Sequence, residues 1–170
     1  PFEERETISR IVEAYRKGKI QRVCLQVTVS QGYLSRTEGI VAQLKGVPTS
    51  ASVVVKSLEQ VEGLLNAGLE IIGLSLDAAN EEVYRHVKGS NFNRALGLIE
   101  EAAQRFPGHI ATHLIVGLGE TEEEIARLIQ RLHDWGVIVA LFAFTPVPGT
   151  ALEDQSPPPF DLYRRLQIAS

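Results

Sequence analysis

Cysteine occurs once, as Cys24, and methionine not at all. A lone cysteine excludes an internal disulfide and any cluster site built on several thiolates of this chain. It points to a reducing compartment, read here as the cytoplasm. The missing methionine, with proline as the first residue, leads us to expect a segment of a longer protein. The closing LYRRLQIAS reads as mid-helix and carries the same expectation. Basic charge is also short: 17 Lys and Arg stand against 21 Asp and Glu, for a net charge of −4. That balance gives no electrostatic footprint for a nucleic acid, so none is expected as a partner. No apolar run reaches the length of a membrane span, no signal-peptide pattern opens the chain, and no membrane partner is expected. No element carries two histidines at metal-ligand spacing, no nucleophile elbow occurs, and Val-Gly-Leu-Gly-Glu lacks the spacing of a dinucleotide fingerprint or a P-loop.

What is present is ordinary for a globular protein: 44% apolar and 22% charged residues in 170, enough for one domain with a real core, expected over residues 1–170. Helical spacing runs through 3–17, with Ile8, Ile11, Val12 and Tyr15 on one face and Gly18 as the stop. Residues 20–28, 51–55, 70–76, 110–116 and 137–144 are β-rich apolar runs. Between them lie three capping-box patterns, Ser35-x-x-Glu38, Ser57-x-x-Gln60 and Thr121-x-x-Glu124, each followed by an apolar stripe. Asn80 is placed to cap a short helix and a longer one follows over 93–106. Residues 145–159 are a Pro-rich loop and Phe160 begins a last helix. The order is αβαβαβααβαβ, then a helix. Alternation at this spacing predicts a parallel sheet, and continuous apolar strands predict that both its faces are covered. A doubly wound open sheet and part of a β/α barrel both fit.

In either architecture ligands bind at the carboxyl ends of the strands, so the polar residues there are the ones to read. They are Thr28 and Ser30 after the first strand, Lys56 after the second, Ser75 and Asp77 after the third, Gly117, Gly119 and Glu120 after the fourth, and Thr145 to Thr150 after the fifth. Each also has an ordinary structural role. Asp77 reads as a turn residue, His113 as a satisfied core histidine, Glu120 as a complement to a helix dipole, and Lys56 as a solvated surface charge. Cys24, mid-strand between apolar neighbours, reads as a small buried hydrophobe.

Three stretches together resemble the radical S-adenosylmethionine (radical SAM) superfamily. IIGLSLDAANEEVYRHVKG is similar to its fourth barrel strand and the short helix behind it. HLIVGLGETEEEI is similar to the fifth-strand motif GxIxGxxE, with Ile115, Gly117 and Glu120 in place. VIVALFAFTPVPGTAL is similar to the sixth strand and its loop. The resemblance implies an α/β fold, a partial (β/α)6 TIM-like barrel of parallel strands. It implies S-adenosylmethionine as cofactor, cleaved reductively at a [4Fe–4S] cluster so that hydrogen is abstracted from a small-molecule or carrier-bound substrate. The cluster's CxxxCxxC loop would lie outside this chain, which is then inactive alone.

By the same resemblance, Ile115 packs on the adenine, Gly117 lets the backbone approach it, Glu120 braces the turn, and Val147 and Pro148 line its far side. Ser75 and Asp77 are candidates for the ribose or the substrate. His113 stands where the motif has its first glycine. The Gly-Gly-Glu of the second strand is absent, which leaves Thr28 and Ser30 for the methionine end. The absence of that triplet, with the LDAAN run, makes the chain look more like the biotin synthase and lipoyl synthase branch, which inserts sulfur into unactivated carbons, than like the peptide-modifying branches. A non-catalytic β/α-barrel binding module and a lyase forming a Schiff base on Lys56 are the competing readings.

Overall fold

A computed structural model describes residues 4–170. The elements run in the expected order: α1 (Glu4–Arg16), β1 (Val23–Gln26), α2 (Tyr33–Gln43), β2 (Thr49–Ser52), α3 (Leu58–Ala67), β3 (Ile71–Gly73), α4 (Glu81–Lys88), α5 (Phe92–Arg105), β4 (Ile110–Val116), α6 (Glu122–Asp134), β5 (Ile138–Ala143) and α7 (Phe160–Ala169). The chain folds as two compact units, one ending at Leu74 and one spanning Ser75–Ser170.

In the first unit β1, β2 and β3 pair in parallel, Val23 opposite Thr49 and Ser50 opposite Ile71. The helices cover one face of this sheet. Ile8, Leu44 and Val47 form a buried cluster against which Ile11, Val12, Val23 and Leu25 pack. Because side chains alternate along a strand, the partners of Val23 and Leu25 on the other face, Cys24 and Gln26, are exposed. This corrects the expectation of a buried Cys24 and of a sheet covered on both faces. The apolar neighbours of Cys24 face the helices and it faces away.

Two capping expectations also shift. α2 starts at Tyr33 behind Gly32 (φ 71°), so Ser35 lies within its first turn. Tyr33 accounts for the early start: its hydroxyl donates to the Val54 carbonyl at 2.7 Å, fixing the head of the helix. Ser57 is the N-cap of α3 as expected, but Gln60 accepts from the Lys56 N–H at 2.7 Å in place of the cap's own.

In the second unit β4 and β5 pair in parallel with Ala111 opposite Ile138 and Ile115 opposite Phe142. Ile110, Thr112, Leu114 and Val116 are buried, and the alternate residues Ala111, His113 and Ile115 are half-buried on the other face. Behind β4 the expected stripes of α5 (Leu96, Ile99, Ala103) and α6 (Ile125, Leu128, Ile129, Leu132) are buried. α7 is fastened to α6 by a two-pronged ion pair, Arg165 on Glu122 at 2.7 and 2.8 Å. Its Tyr163 hydroxyl donates to the Leu141 carbonyl at 3.0 Å. The open face recurs in β5, whose Phe142 is 51% exposed.

Candidate functional site

β3 ends at Gly73, three residues sooner than its apolar run, and the reason lies at Asp77. Asp77 has φ 68°, the one non-glycine residue at positive φ among those described. An L side chain reaches that region only at a cost of about 1–3 kcal/mol, and such residues concentrate at functional sites. The kink carries the chain alongside β4. The Asp77 N–H donates to the His113 carbonyl and the Ile115 N–H donates to the Asp77 carbonyl, both at 2.8 Å. Asp77 and Leu114 thereby form an isolated parallel bridge. One residue earlier, the Leu76 N–H donates to the Thr112 hydroxyl at 3.2 Å.

Three expected site residues are therefore brought to one end of β4. Ser75 Oγ lies 3.4 Å from His113 Nδ1. The His113 ring stands edge-on to Phe142, with centroids 5.4 Å apart. Ile115 lies two residues further along the same face, directly opposite Phe142 in register. The Asp77 carboxylate is half-buried and its Oδ2 holds Lys88 Nζ at 2.5 Å. No donor among the described residues reaches its Oδ1.

The corner beyond Val116 is built to a different logic. Gly117 has φ 100°, and a Cβ there would meet Pro158 Cδ at 2.8 Å and the Pro158 nitrogen at 3.2 Å. The space that glycine leaves is thus taken by Pro158. The Gly117 N–H donates to Glu120 Oε1 at 3.1 Å, and its carbonyl accepts from Gln155 Nε2. Both polar groups of its backbone are used within the chain.

Glu120 thus spans that turn through its Oε1. Its Oε2 is buried and has no hydrogen-bond partner. Burial pushes its carboxyl above the ordinary value. Hydrogen bonds from its own N–H and those of Gly117 and Leu118 pull it down, and the neighbouring Glu124 adds to the rise. Behind it the Thr121 capping box is complete: Thr121 Oγ1 accepts from the Glu124 N–H at 3.2 Å and Glu124 Oε2 accepts from the Thr121 N–H at 2.8 Å. Asn80 caps α4 through the Val83 N–H at 2.9 Å and donates to Glu124 Oε1, also at 2.9 Å, which ties the two helix starts together.

The raised carboxyl sets a pH dependence. The folded state binds the Glu120 proton more tightly than the unfolded chain. The contribution to stability is present below the unfolded value of 4.5 and is lost as pH rises through the higher folded value. Glu122 and Glu124, both lowered, run the other way. Urea unfolding of wild type and Glu120→Gln from pH 4 to 7 should therefore diverge, wild type losing stability relative to the variant as pH rises. Parallel curves would show that Glu120 titrates as an ordinary surface carboxyl.

Thr28 and Ser30 are exposed just past β1 in the first unit. Val147 and Pro148 are exposed in a turn closed by the Thr150 N–H and hydroxyl on the Val147 carbonyl, at 3.2 and 2.7 Å. Lys56 is exposed, as its solvated reading expects.

The implied cofactor can be tested against these residues. A [4Fe–4S] cluster takes thiolate ligands. The chain has one cysteine, and the described residues hold no group of three or more His, Cys, Asp or Glu side chains able to bind a metal. The cluster does not fit here. For the adenosine end of S-adenosylmethionine the residues offer an apolar surface at Ile115 and Phe142 and a carboxylate at Asp77.

Sequence reasoning missed Lys88, Phe142, Gln155 and Pro158. Lys88 reads as an ordinary cation at a helix end, and Gln155 and Pro158 sit in a loop with no periodicity. Phe142 could have been found, since it lies two residues before the end of the next strand predicted after the Ile115 strand, and consecutive strands are usually neighbours.

Comparison with known proteins adds three findings. A family model described as "Radical SAM superfamily" matches residues 2–132. The chain is 28% identical over 177 aligned residues to a biotin synthase of Paramagnetospirillum magneticum, covering 95% of this chain and 53% of that protein. It is also 28% identical over 114 residues to a mitochondrial lipoyl synthase of Candida tropicalis, covering 63% of this chain and 30% of that one. The chain thus spans about half, or less, of the curated relatives it matches. Among solved structures it superposes on the FeFe-hydrogenase maturase HydG from Carboxydothermus hydrogenoformans with a TM-score of 0.75, over 99% of this chain and 43% of that one. At 19% identity this likeness shows the fold alone.

Proposed function

The chain belongs to the radical SAM superfamily, and from that membership we propose that it is the part of a radical SAM enzyme that seats the adenosine portion of S-adenosylmethionine. When bound at a [4Fe–4S] cluster held by residues outside this chain, that cofactor supplies the species that abstracts hydrogen from the substrate. The observation that carries this reading is the half-buried Ile115 directly opposite exposed Phe142, an apolar surface on the strand that the Asp77 backbone is bonded to. Binding sites for small ligands have this make-up, mostly apolar with a few placed polar groups.

Each residue has its part. Ile115 gives the base a dry surface. Asp77 accepts from a ribose hydroxyl, with Ser75 beside it through His113. Gly117 and Glu120 hold the corner rigid, Gly117 by seating Pro158. Val147 and Pro148 are assigned to the far side of the base and Thr28 and Ser30 to the methionine end, on the resemblance alone. The substrate is a small molecule or a carrier-bound group.

The finer reading is sulfur insertion, as the names of the biotin synthase and lipoyl synthase relatives suggest. The parent protein, reconstituted with iron and sulfide and reduced without oxygen, is expected to cleave S-adenosylmethionine to 5′-deoxyadenosine and methionine. No cleavage with a cluster in place would overturn the enzymatic reading and favour a non-catalytic binding module. A Schiff-base lyase gains no support, because Lys56 is an exposed lysine.

A further inference from the structure

We propose that Lys88 is a positioning residue for the adenosine seat. It fixes the Asp77 carboxylate through Oδ2, leaves Oδ1 to accept from a ligand hydroxyl, and neutralises the site so that it takes a diol and not a cation. The inference rests on the reading of Asp77 as a ribose contact and adds a residue to it.

Lys88 is the last residue of α4, where a lysine ordinarily does no more than complement the helix dipole from solvent. Here its ammonium reaches back eleven residues to Asp77 at 2.5 Å. The side chains are 31% and 18% exposed for Lys88 and Asp77, so the pair is less open to water than the other ion pairs described, whose side chains are 36% to 78% exposed. Lower exposure means weaker screening. Asp77 is held by three other means: a strained φ and backbone hydrogen bonds on both its N–H and its carbonyl. Its backbone cannot turn the carboxylate, so the side-chain torsions are the remaining freedom, and Lys88 removes them.

Charge makes the second half of the argument. A half-buried carboxylate without a partner attracts a cation. With an ammonium on one oxygen the site is neutral overall, and the other oxygen keeps its accepting lone pairs. That combination suits a neutral hydroxyl donor, and a ribose presents two.

The test is isothermal titration calorimetry on the whole chain with adenosine, 2′-deoxyadenosine and 3′-deoxyadenosine. The readout is the preference for adenosine over the deoxy analogues, which a merely structural role would not move. A hydrogen bond to a charged acceptor predicts a wild-type preference of about tenfold for one analogue. Asp77→Ala should reduce it to about twofold or less, Lys88→Met to about two- to threefold, and Lys88→Arg should restore most of it. Lys88→Gln serves as a second uncharged variant, with circular dichroism confirming the fold of each. If Lys88→Met and Lys88→Gln keep the wild-type preference while Asp77→Ala loses it, Lys88 is only a fastening and this proposal fails, with the adenosine reading intact. If Asp77→Ala keeps the preference, or wild type has none, the ribose role of Asp77 fails and this proposal with it.

Discussion

Gly117→Ala is expected to be the most destabilising single-methyl change in the second unit. Two independent costs meet at this position. A non-glycine residue at φ 100° carries backbone strain of about 1–3 kcal/mol. The added methyl would also stand 2.8 Å from Pro158 Cδ and 3.2 Å from the Pro158 backbone nitrogen. Overpacking of that kind adds about 1–3 kcal/mol. Pro158 cannot swing aside as a flexible side chain would, since its ring and backbone move together. The sum, about 2–6 kcal/mol, corresponds to a fall in melting temperature of roughly 4–24 °C for a chain of this size. Gly119→Ala is the control. Its φ of 128° is equally unfavourable, but the added methyl would meet only Val83 Cγ2, at an ordinary 3.6 Å. The control should lose the strain part alone. Equal losses in thermal unfolding would mean that Pro158 does not press on the corner.

Ile115→Asp is expected to cost at least about a hundredfold in affinity for S-adenosylhomocysteine. Ile115 is half-buried and its neighbour in register is exposed Phe142, so the substitution puts a charge where a base should lie. Losing the apolar contact removes about 1.5–3 kcal/mol. Desolvating a carboxylate against the base adds a penalty of at least about 1–3 kcal/mol. Ile115→Val, which removes one methylene, should lose only about fourfold, since a buried methylene contributes about 0.8 kcal/mol. An unchanged affinity in Ile115→Asp, with the fold intact, would move the adenine elsewhere.

The helices and their order were legible because their signals are local. The Thr121 capping box, the Asn80 cap and the stripes of α5 and α6 each depend on residues a few positions apart. The strands were legible in existence and order, and less so in extent. β3 stops at Gly73 because Asp77 turns the chain onto β4, and nothing in IIGLSLD announces a positive φ at an aspartate. α2 begins early because Tyr33 finds the Val54 carbonyl 21 residues away. Cys24 was misplaced because apolar neighbours on a strand say nothing about which face is covered. In the site, Ile115, Gly117 and Glu120 came from the motif and Asp77 and Ser75 from their place at a strand end. Their partners did not: Lys88, Gln155 and Pro158 are set by tertiary approach, and no spacing rule reaches from 117 to 158. Glu120, which a motif search would nominate for chemistry, accepts from the Gly117 N–H, while the apolar Ile115 lies half-buried opposite Phe142.

The most direct measurement is an intermolecular nuclear Overhauser experiment between S-adenosylhomocysteine and the chain with labelled isoleucine methyls. The account predicts contacts from the adenine protons H2 or H8 to the Ile115 δ-methyl, together with contacts to the Phe142 ring. Adenine contacts confined to other methyls, with Ile115 silent at saturating ligand, would contradict it.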